Sequence, residues 1–293
     1  MIRVTVPCST SNLGAGFDCI GLAFNRYLHV EFTPGNDAVR VTRIGTLENV
    51  GDDQTDIIAT LLREHSIFGN LHLDSNIPVG KGLGSSAAAT VAALAIISAV
   101  AHEELDVNAA LHRATSLEGH PDNSAPSLIG GLVAVVGDAG KLRPLALHLS
   151  EDIGFAFAAP HVVVGTKAAR QALPDSVPHP IAARTIARSI ALVEGLAEGD
   201  PDLLRIGFMD DLHVPFRLGM IPGGANAVTA AVSAGAWAAT ISGSGSGIIA
   251  VCPRGDEGKV AAAMEQVFVN ATSQAAIAFA VAPDFSGMQV EEE

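Results

Sequence analysis

The chain has 293 residues, 48% of them hydrophobic but only 4% aromatic, enough for one large domain or two ordinary ones with a core of Ala, Val, Leu and Ile. A formal net charge of −14 argues against nucleic acid or an anionic membrane as partner, so a bound phosphate would need backbone N–H groups, a metal and a few placed cations. Cys8, Cys19 and Cys252 show neither metal-ligand spacing nor an even count, and no secretory or bilayer-length apolar run is evident, so a soluble, cytoplasmic protein is expected.

In chain order, residues 3–6 alternate polar and apolar as a short strand ended by Pro7. Residues 8–23 are small and polar. They form a loop in which Asn12 and Asp18 either make local turn bonds or present an amide and a carboxylate to a ligand. Residues 27–32 and 39–44 read as paired strands joined by a turn at 34–37. A helix is expected over 55–65, with Ile57, Ile58, Leu61 and Leu62 on one face, then a strand over 71–75.

That strand delivers the chain to Pro78-Val79-Gly80-Lys81-Gly82-Leu83-Gly84-Ser85-Ser86. Three alternate glycines let the backbone take positive φ and approach a ligand closely. The helix that follows, to about residue 101, is apolar all round and should be buried. Its first N–H groups lack intrahelical partners, and the helix dipole favours an anion there. The string reads as a phosphate cradle, or more plainly as a serine-capped turn. Its spacing is neither Gly-x-x-x-x-Gly-Lys-Ser/Thr nor Gly-x-Gly-x-x-Gly.

Asn108 is expected to cap a helix that reaches Glu118 and closes at Gly119. His120-Pro121-Asp122-Asn123-Ser124-Ala125-Pro126 carries more polar groups than a connector needs, although a satisfied turn could use them. Strands are expected at 132–136, 155–159, 162–164, 248–252 and 276–281, and helices at 180–196, 202–212, 225–234 and 257–268. Residues 214–223 read as a loop. The stretch Thr240 to Gly247 alone would be a Gly/Ser hairpin, and the acidic tail 291–293 would be frayed and solvated. A boundary near 150 gives an N-terminal domain, 1–150, and a C-terminal domain, 151–293.

The phosphate string closely resembles the central motif of the GHMP kinases. Pro7-Cys8-Ser9-Thr10-Ser11-Asn12-Leu13-Gly14-Ala15-Gly16-Phe17-Asp18 resembles the N-terminal motif of their homoserine kinase branch. The segments from Glu118 to Asn123, Thr166 to Pro174, Val214 to Pro222 and Thr240 to Gly247 resemble further motifs, so the likeness spans residues 7–247. The chain departs from the pattern at Thr55 (often Asn), Ser124 (Val), Ala169 (Glu), Val214 (Glu) and Ser246 (Pro). The first leaves the adenine contacts unassigned, and the last suggests a less rigid loop.

The resemblance implies an α+β, two-domain fold, with an N-terminal half like domain 2 of ribosomal protein S5 and a ferredoxin-like C-terminal half. It implies ATP-dependent phosphorylation of the L-homoserine hydroxyl in threonine biosynthesis, the ATP phosphates lying on residues 78–86 and Mg²⁺ on Ser86 and Glu118. Asn12, Asp18, His120, Asp122 and Asn123 would line the substrate pocket, while Arg170 and Arg217 would take the substrate carboxylate. Ser86, Glu118, Thr166 and Arg170 would form the catalytic set, with no general base assigned because a Thr166 hydroxyl is too poor a base. The alternatives are another small-molecule kinase of the superfamily, opposed by Gly16-Phe17-Asp18 and Arg170, or a non-catalytic ligand-binding relative, opposed by intact Ser86 and Glu118. The resemblance leaves a homodimer open.

Overall fold

A computed structural model describes residues 1–50, 55–137 and 141–292. The first half of the chain runs β1 (Ile2–Asn12), β2 (Gly16–Pro34), β3 (Val39–Gly45), α1 (Ile57–Glu64), β4 (Gly69–Ser75), α2 (Ser85–Val100), α3 (Val107–Glu118), α4 (Ser124–Ile129), β5 (Leu132–Val136) and β6 (Arg143–Leu147). The second runs β7 (Ile153–Ala159), α5 (Thr166–Gln171), α6 (His179–Glu198), α7 (Pro201–Gly207), α8 (Val214–Arg217), a 3-10 turn (Leu218–Met220), α9 (Gly224–Ser233), β8 (Ala238–Ile241), β9 (Ile248–Pro253), α10 (Glu257–Thr272), β10 (Ile277–Val281) and β11 (Gln289–Glu292).

These strands form two sheets. One has the order β11-β1-β2-β4-β3, with β5 bridging β2 and β6. The other has the order β10-β7-β9-β8 and is antiparallel throughout, the fourth-first-third-second arrangement of a ferredoxin-like unit. The chain passes between the sheets twice, from β6 to β7 and from β10 to β11.

Several elements differ from the sequence expectation. The polar stretch after Pro7 continues as strand, because a register shift between Pro7 and Cys8 carries β1 past the proline. β3 does not pair with β2. It lies parallel to β4, with Val39 opposite Gly69, since α1 provides the crossover a parallel pair needs. The helix expected from residue 55 begins at Ile57, capped by Asp56, and Asp106 rather than Asn108 caps α3, each accepting from an N–H three residues on. Residues 162–164 are irregular, the helix expected over 202–212 stops at Gly207, and 214–220 coil into short helical turns. The acidic tail is not frayed over its described part: Glu291 and Glu292 pair with Arg3 and Ile2, whereas Glu293 lies outside the described residues.

α2 is buried on most of its circumference, as its composition demands. Its alanines let it lie close on β1 and among α1, α3 and α4. The two sheets share one core. Phe24 of β2 meets Phe155 of β7 edge to face, ring centroids 5.2 Å apart, and both are fully buried. Each such ring contributes on the order of 1.5–3 kcal/mol through burial.

Candidate active site

The phosphate string turns at the head of α2, where Gly80, Gly82 and Gly84 have φ of 68°, 83° and 64°. Side chains are also excluded sterically: a Cβ on Gly82 would sit 2.0 Å from the Ser242 carbonyl oxygen, and one on Gly84 2.4 Å from Ser9 Oγ. Gly84 caps α2 with no side-chain hydrogen bond, so the opening N–H groups of the helix remain available at the cavity wall beside Ser85 and Ser86. Ser242 Oγ donates to the Gly82 carbonyl (2.6 Å) and Gly247 N–H to that of Lys81 (3.0 Å), fixing the loop against the Gly/Ser stretch.

Within the string, Val79, Gly80 and residues 82–86 line a cavity of about 370 Å³. Pro78 stands off the wall, and the Lys81 ammonium donates instead to the carbonyls of Pro160, His161 and Val162 (2.9, 2.6 and 2.8 Å). One end of the cavity is apolar, walled by Leu47, Val50, Ile57, Leu73 and Val79, with the Arg43–Asp56 ion pair (3.0 Å) at its side. The other end is polar and contains every remaining residue singled out from the sequence: Asn12, Asp18, Glu118, His120, Asp122, Asn123, Thr166, Arg170 and Arg217.

Where α2 meets the end of α3, Ser86 Oγ donates to Glu118 Oε1 (2.6 Å) and Thr90 Oγ1 donates to the same oxygen (3.0 Å). This set is all hard oxygen and carries one charge. Among the described residues no cluster of three or more His, Cys, Asp or Glu could hold a metal. Such a sparse set fits an ion that keeps water and phosphate oxygens in its shell, as Mg²⁺ does, and does not fit a dedicated protein cage.

At the polar end, Arg170 donates from both terminal nitrogens to the two Asp18 oxygens, 2.8 Å each. Asp18 has a positive φ of 56°, and its N–H bonds Asn12 Oδ1 (3.0 Å), while Asn12 Nδ2 reaches the Gly243 carbonyl (3.0 Å). His120 Nδ1 lies 2.6 Å from Asp122 Oδ1. Burial alone would lower the His120 pKa, but the Asp122 hydrogen bond with the charges of Asp122 and Asp18 outweighs it and raises the pKa. Asn123 Nδ2 donates to Ser11 Oγ (2.9 Å), tying the segment back to β1.

Arg217 is the buried cation of the site, 2% exposed and without an ion pair among the described residues. Its Nε donates to the Ala169 carbonyl (3.1 Å), one terminal nitrogen lies 3.5 Å from His213 Nδ1, and the guanidinium sits 5.2 Å from the Phe17 ring centre. Burial and the nearby Arg170 charge lower its pKa. His213 is fully buried, stacks on Phe17 at 5.0 Å, and approaches the Gly14 carbonyl through Nε2 (3.2 Å). Burial pushes the His213 pKa down, with the Arg217 charge adding to it and Asp210 opposing. Neutral His213 therefore donates to Gly14 from Nε2 and offers Nδ1 to Arg217.

Thr90, Phe17, Asp210, His213 and Ser244 were not singled out from the sequence. Thr90 is hidden in an alanine-rich helix, and Ser244 Oγ, 3.2 Å from Thr166 Oγ1, is one hydroxyl of several in its loop. Asp210 and His213 lie in the irregular stretch between α7 and α8, where no periodicity marks them. Two departures from the pattern are accounted for locally. Ala169 is fully buried, and Ser246 Oγ donates to the Val162 carbonyl (2.6 Å), a tether that proline lacks.

A phosphate loop, oxygen donors beside it and a pocket carrying both charges define a small-molecule kinase of the GHMP type. Residues 53–131 match the GHMP kinases N terminal domain, and 192–270 match the GHMP kinases C terminal domain. The chain is 37% identical over 277 residues to a homoserine kinase of Moorella thermoacetica, covering 92% of this chain and 93% of that protein. It is 33% identical over 289 residues to one of Carboxydothermus hydrogenoformans, covering 95% and 93%. The crystal structure of a homoserine kinase from Cytophaga hutchinsonii superposes with a TM-score of 0.85 at 28% identity, over 99% of this chain and 97% of that one. The chain belongs to the homoserine kinase family of the GHMP kinases. No helix among the described residues is long and apolar enough to cross a membrane.

Proposed function

We propose that the protein transfers the γ-phosphoryl group of ATP to the side-chain hydroxyl of L-homoserine, giving O-phospho-L-homoserine and ADP for threonine biosynthesis in the cytoplasm. The observation that carries this reading is the sharing of one cavity by the phosphate loop and by paired anionic and cationic groups, Asp18 with Asp122 and Arg170 with Arg217. A zwitterion with a free hydroxyl fits that charge pattern, whereas a sugar or a simple hydroxy acid leaves part of it unmatched. The two halves, 1–150 and 151–293, each contribute: the first the nucleotide loop, the second both arginines.

In this reading the adenine occupies the apolar end beside Leu47, Val50 and Ile57. The opening N–H groups of α2, with those of residues 82–86, take the phosphates. Ser86 and Glu118 hold Mg²⁺, with Thr90 orienting the carboxylate, and the ion would neutralise charge on the phosphates. Asp18 and Asp122 face the substrate ammonium, Asn12 and Asn123 keep those loops in place, and the two arginines take the carboxylate. His120, whose pKa rises against the effect of burial through the Asp122 hydrogen bond and charge, is held beside the substrate site by Asp122. Thr166 and Ser244 orient the attacking hydroxyl. Its proton leaves on the phosphoryl group, since a loose transition state asks mainly for alignment and charge stabilisation.

Release of ADP from Mg·ATP tests this directly. L-homoserine should be turned over much faster than serine, mevalonate or galactose. A faster rate with mevalonate or galactose would overturn the substrate while leaving the kinase class intact.

A further inference from the structure

The phosphate loop contains one cation, Lys81, and it is not among the residues that line the cavity. Lys81 Nζ is enclosed by three carbonyl oxygens from consecutive residues, Pro160, His161 and Val162, at 2.6–2.9 Å. An ammonium has three N–H donors, so each is matched to one acceptor. The same segment is held from its other side, where Ser246 Oγ donates to the Val162 carbonyl (2.6 Å). Lys81 also gives its own carbonyl to Gly247 N–H (3.0 Å), and its neighbour Gly82 gives its carbonyl to Ser242 Oγ (2.6 Å). Three separate stretches of backbone, around residues 81, 161 and 246, thus meet at one charge.

Carbonyl oxygens converging on a point are the donor set of a monovalent cation cage. Without a charge at the centre, three parallel dipoles repel one another and lose their partners. Burial pushes the Lys81 ammonium toward its neutral form, and the carbonyl dipoles act against that loss. The wall on the far side of the loop is consequently set by the lysine: a Cβ on Gly80 would lie only 2.7 Å from Val163 Cγ1, the residue that follows the three carbonyls.

We propose that Lys81 is a positioning residue, a built-in ammonium that fixes the phosphate loop to residues 160–162, and that its removal leaves a cage for a free ammonium-type cation. The role rests on the kinase reading only through the activity readout. It predicts that Lys81→Ala, which removes the ammonium together with its stem, raises the KM for ATP about tenfold or more, the loss expected for several charge-assisted bonds. Homoserine KM should change less. Ammonium or methylammonium chloride, replacing sodium chloride at equal ionic strength, should recover much of the loss in the variant and leave the wild type unchanged. Tetramethylammonium, which has no N–H donor, should not.

The test pairs that assay with two measurements that need no turnover: binding of a fluorescent ATP analogue, and thermal unfolding, for wild type and Lys81→Ala in each salt. Recovery of nucleotide affinity or of Tm by ammonium alone supports the cage, including for a variant that folds poorly in sodium. An unaltered KM for ATP, or a loss that ammonium and tetramethylammonium treat alike in all readouts, overturns it. A wild type that binds nucleotide yet fails to phosphorylate L-homoserine counts against the substrate reading, while the binding data still decide the role of Lys81.

Discussion

Arg170 and Asp18 close on each other through two parallel 2.8 Å hydrogen bonds, joining α5 to the start of β2 across the mouth of the polar pocket. An amino acid brings the same two groups in opposite order. Its carboxylate can replace Asp18 on the guanidinium fork while its ammonium takes the freed Asp18 oxygens, so charge balance is kept as the pair opens. Both side chains are more than a quarter exposed, which keeps the pair exchangeable.

Under the proposed function, the exchange would make Asp18 the reader of the ammonium. Asp18→Asn should raise the KM for L-homoserine about tenfold, the size of one charge-assisted hydrogen bond. The wild type should strongly prefer L-homoserine to the hydroxy acid that lacks only the amine, and the variant should lose most of that preference. Undiminished preference in Asp18→Asn would assign ammonium recognition elsewhere.

Arg217 differs because it is buried and, among the described residues, has no ion pair to trade. Truncating it to Ala should cost on the order of 2–5 kcal/mol in kcat/KM for L-homoserine. Lys should substitute poorly, since the planar fork is lost. The informative comparison is the amino alcohol lacking only the carboxylate. Wild type should discriminate against it and Arg217→Ala should not; equal discrimination by both proteins removes Arg217 from carboxylate binding.

Glu118→Gln keeps the size of the side chain and removes the charge that Ser86 and Thr90 both address. A kcat loss of roughly 10² or more is expected, with a higher Mg²⁺ requirement. Thr90→Val should leave Tm nearly unchanged but weaken Mg²⁺ affinity about tenfold, raising the Mg²⁺ requirement, as loss of a group that orients a ligand does. Normal Mg²⁺ titrations of both variants would reduce Glu118 to a helix-end residue.

The pH response should come partly from His213. Its pKa is lowered in the folded protein, so below about pH 6.5 the unfolded chain takes up a proton that the folded chain refuses. Stability linked to His213 is therefore complete above that value and falls as the pH drops through it. His213→Gln, which keeps a donor and an acceptor, should flatten the fall in Tm. His120 acts in the opposite sense, because its raised pKa favours folding at lower pH and loses effect as the pH climbs. A variant whose Tm declines as steeply as that of the wild type excludes His213 as a source.

Much of this site can be read from residue order because its signals are local. Alternate glycines before a run of small apolar residues specify the loop and the helix together, and Gly80, Gly82 and Gly84 take the left-handed φ that the pattern predicts. The paired groups around Asp18, His120 and Arg170 sit in short polar strings and share a cavity. Long-range pairings carry no such mark. The turn at 34–37 suggests that β2 and β3 are neighbours, yet α1 carries the chain back so that β4 separates them. The acidic tail looks solvated from its charge, although β1 offers it an unpaired edge. His213 escapes notice for a related reason: its partners, Gly14, Phe17 and Arg217, lie up to 199 residues away in sequence.

The second crossing, from β10 to β11, is tied down through Asp284. Asp284 N–H bonds the Ala23 carbonyl (3.0 Å), its own carbonyl takes Gly131 N–H, and Tyr27 reaches its carboxylate (2.9 Å) before β11 joins β1. Two bodies on one tether can swivel, but two fixed tethers define an axle. Because the sheets also share a core through Phe24 and Phe155, the phosphate loop and the two arginines belong to one frame. Nucleotide and acceptor would then meet across a gap whose width that frame sets.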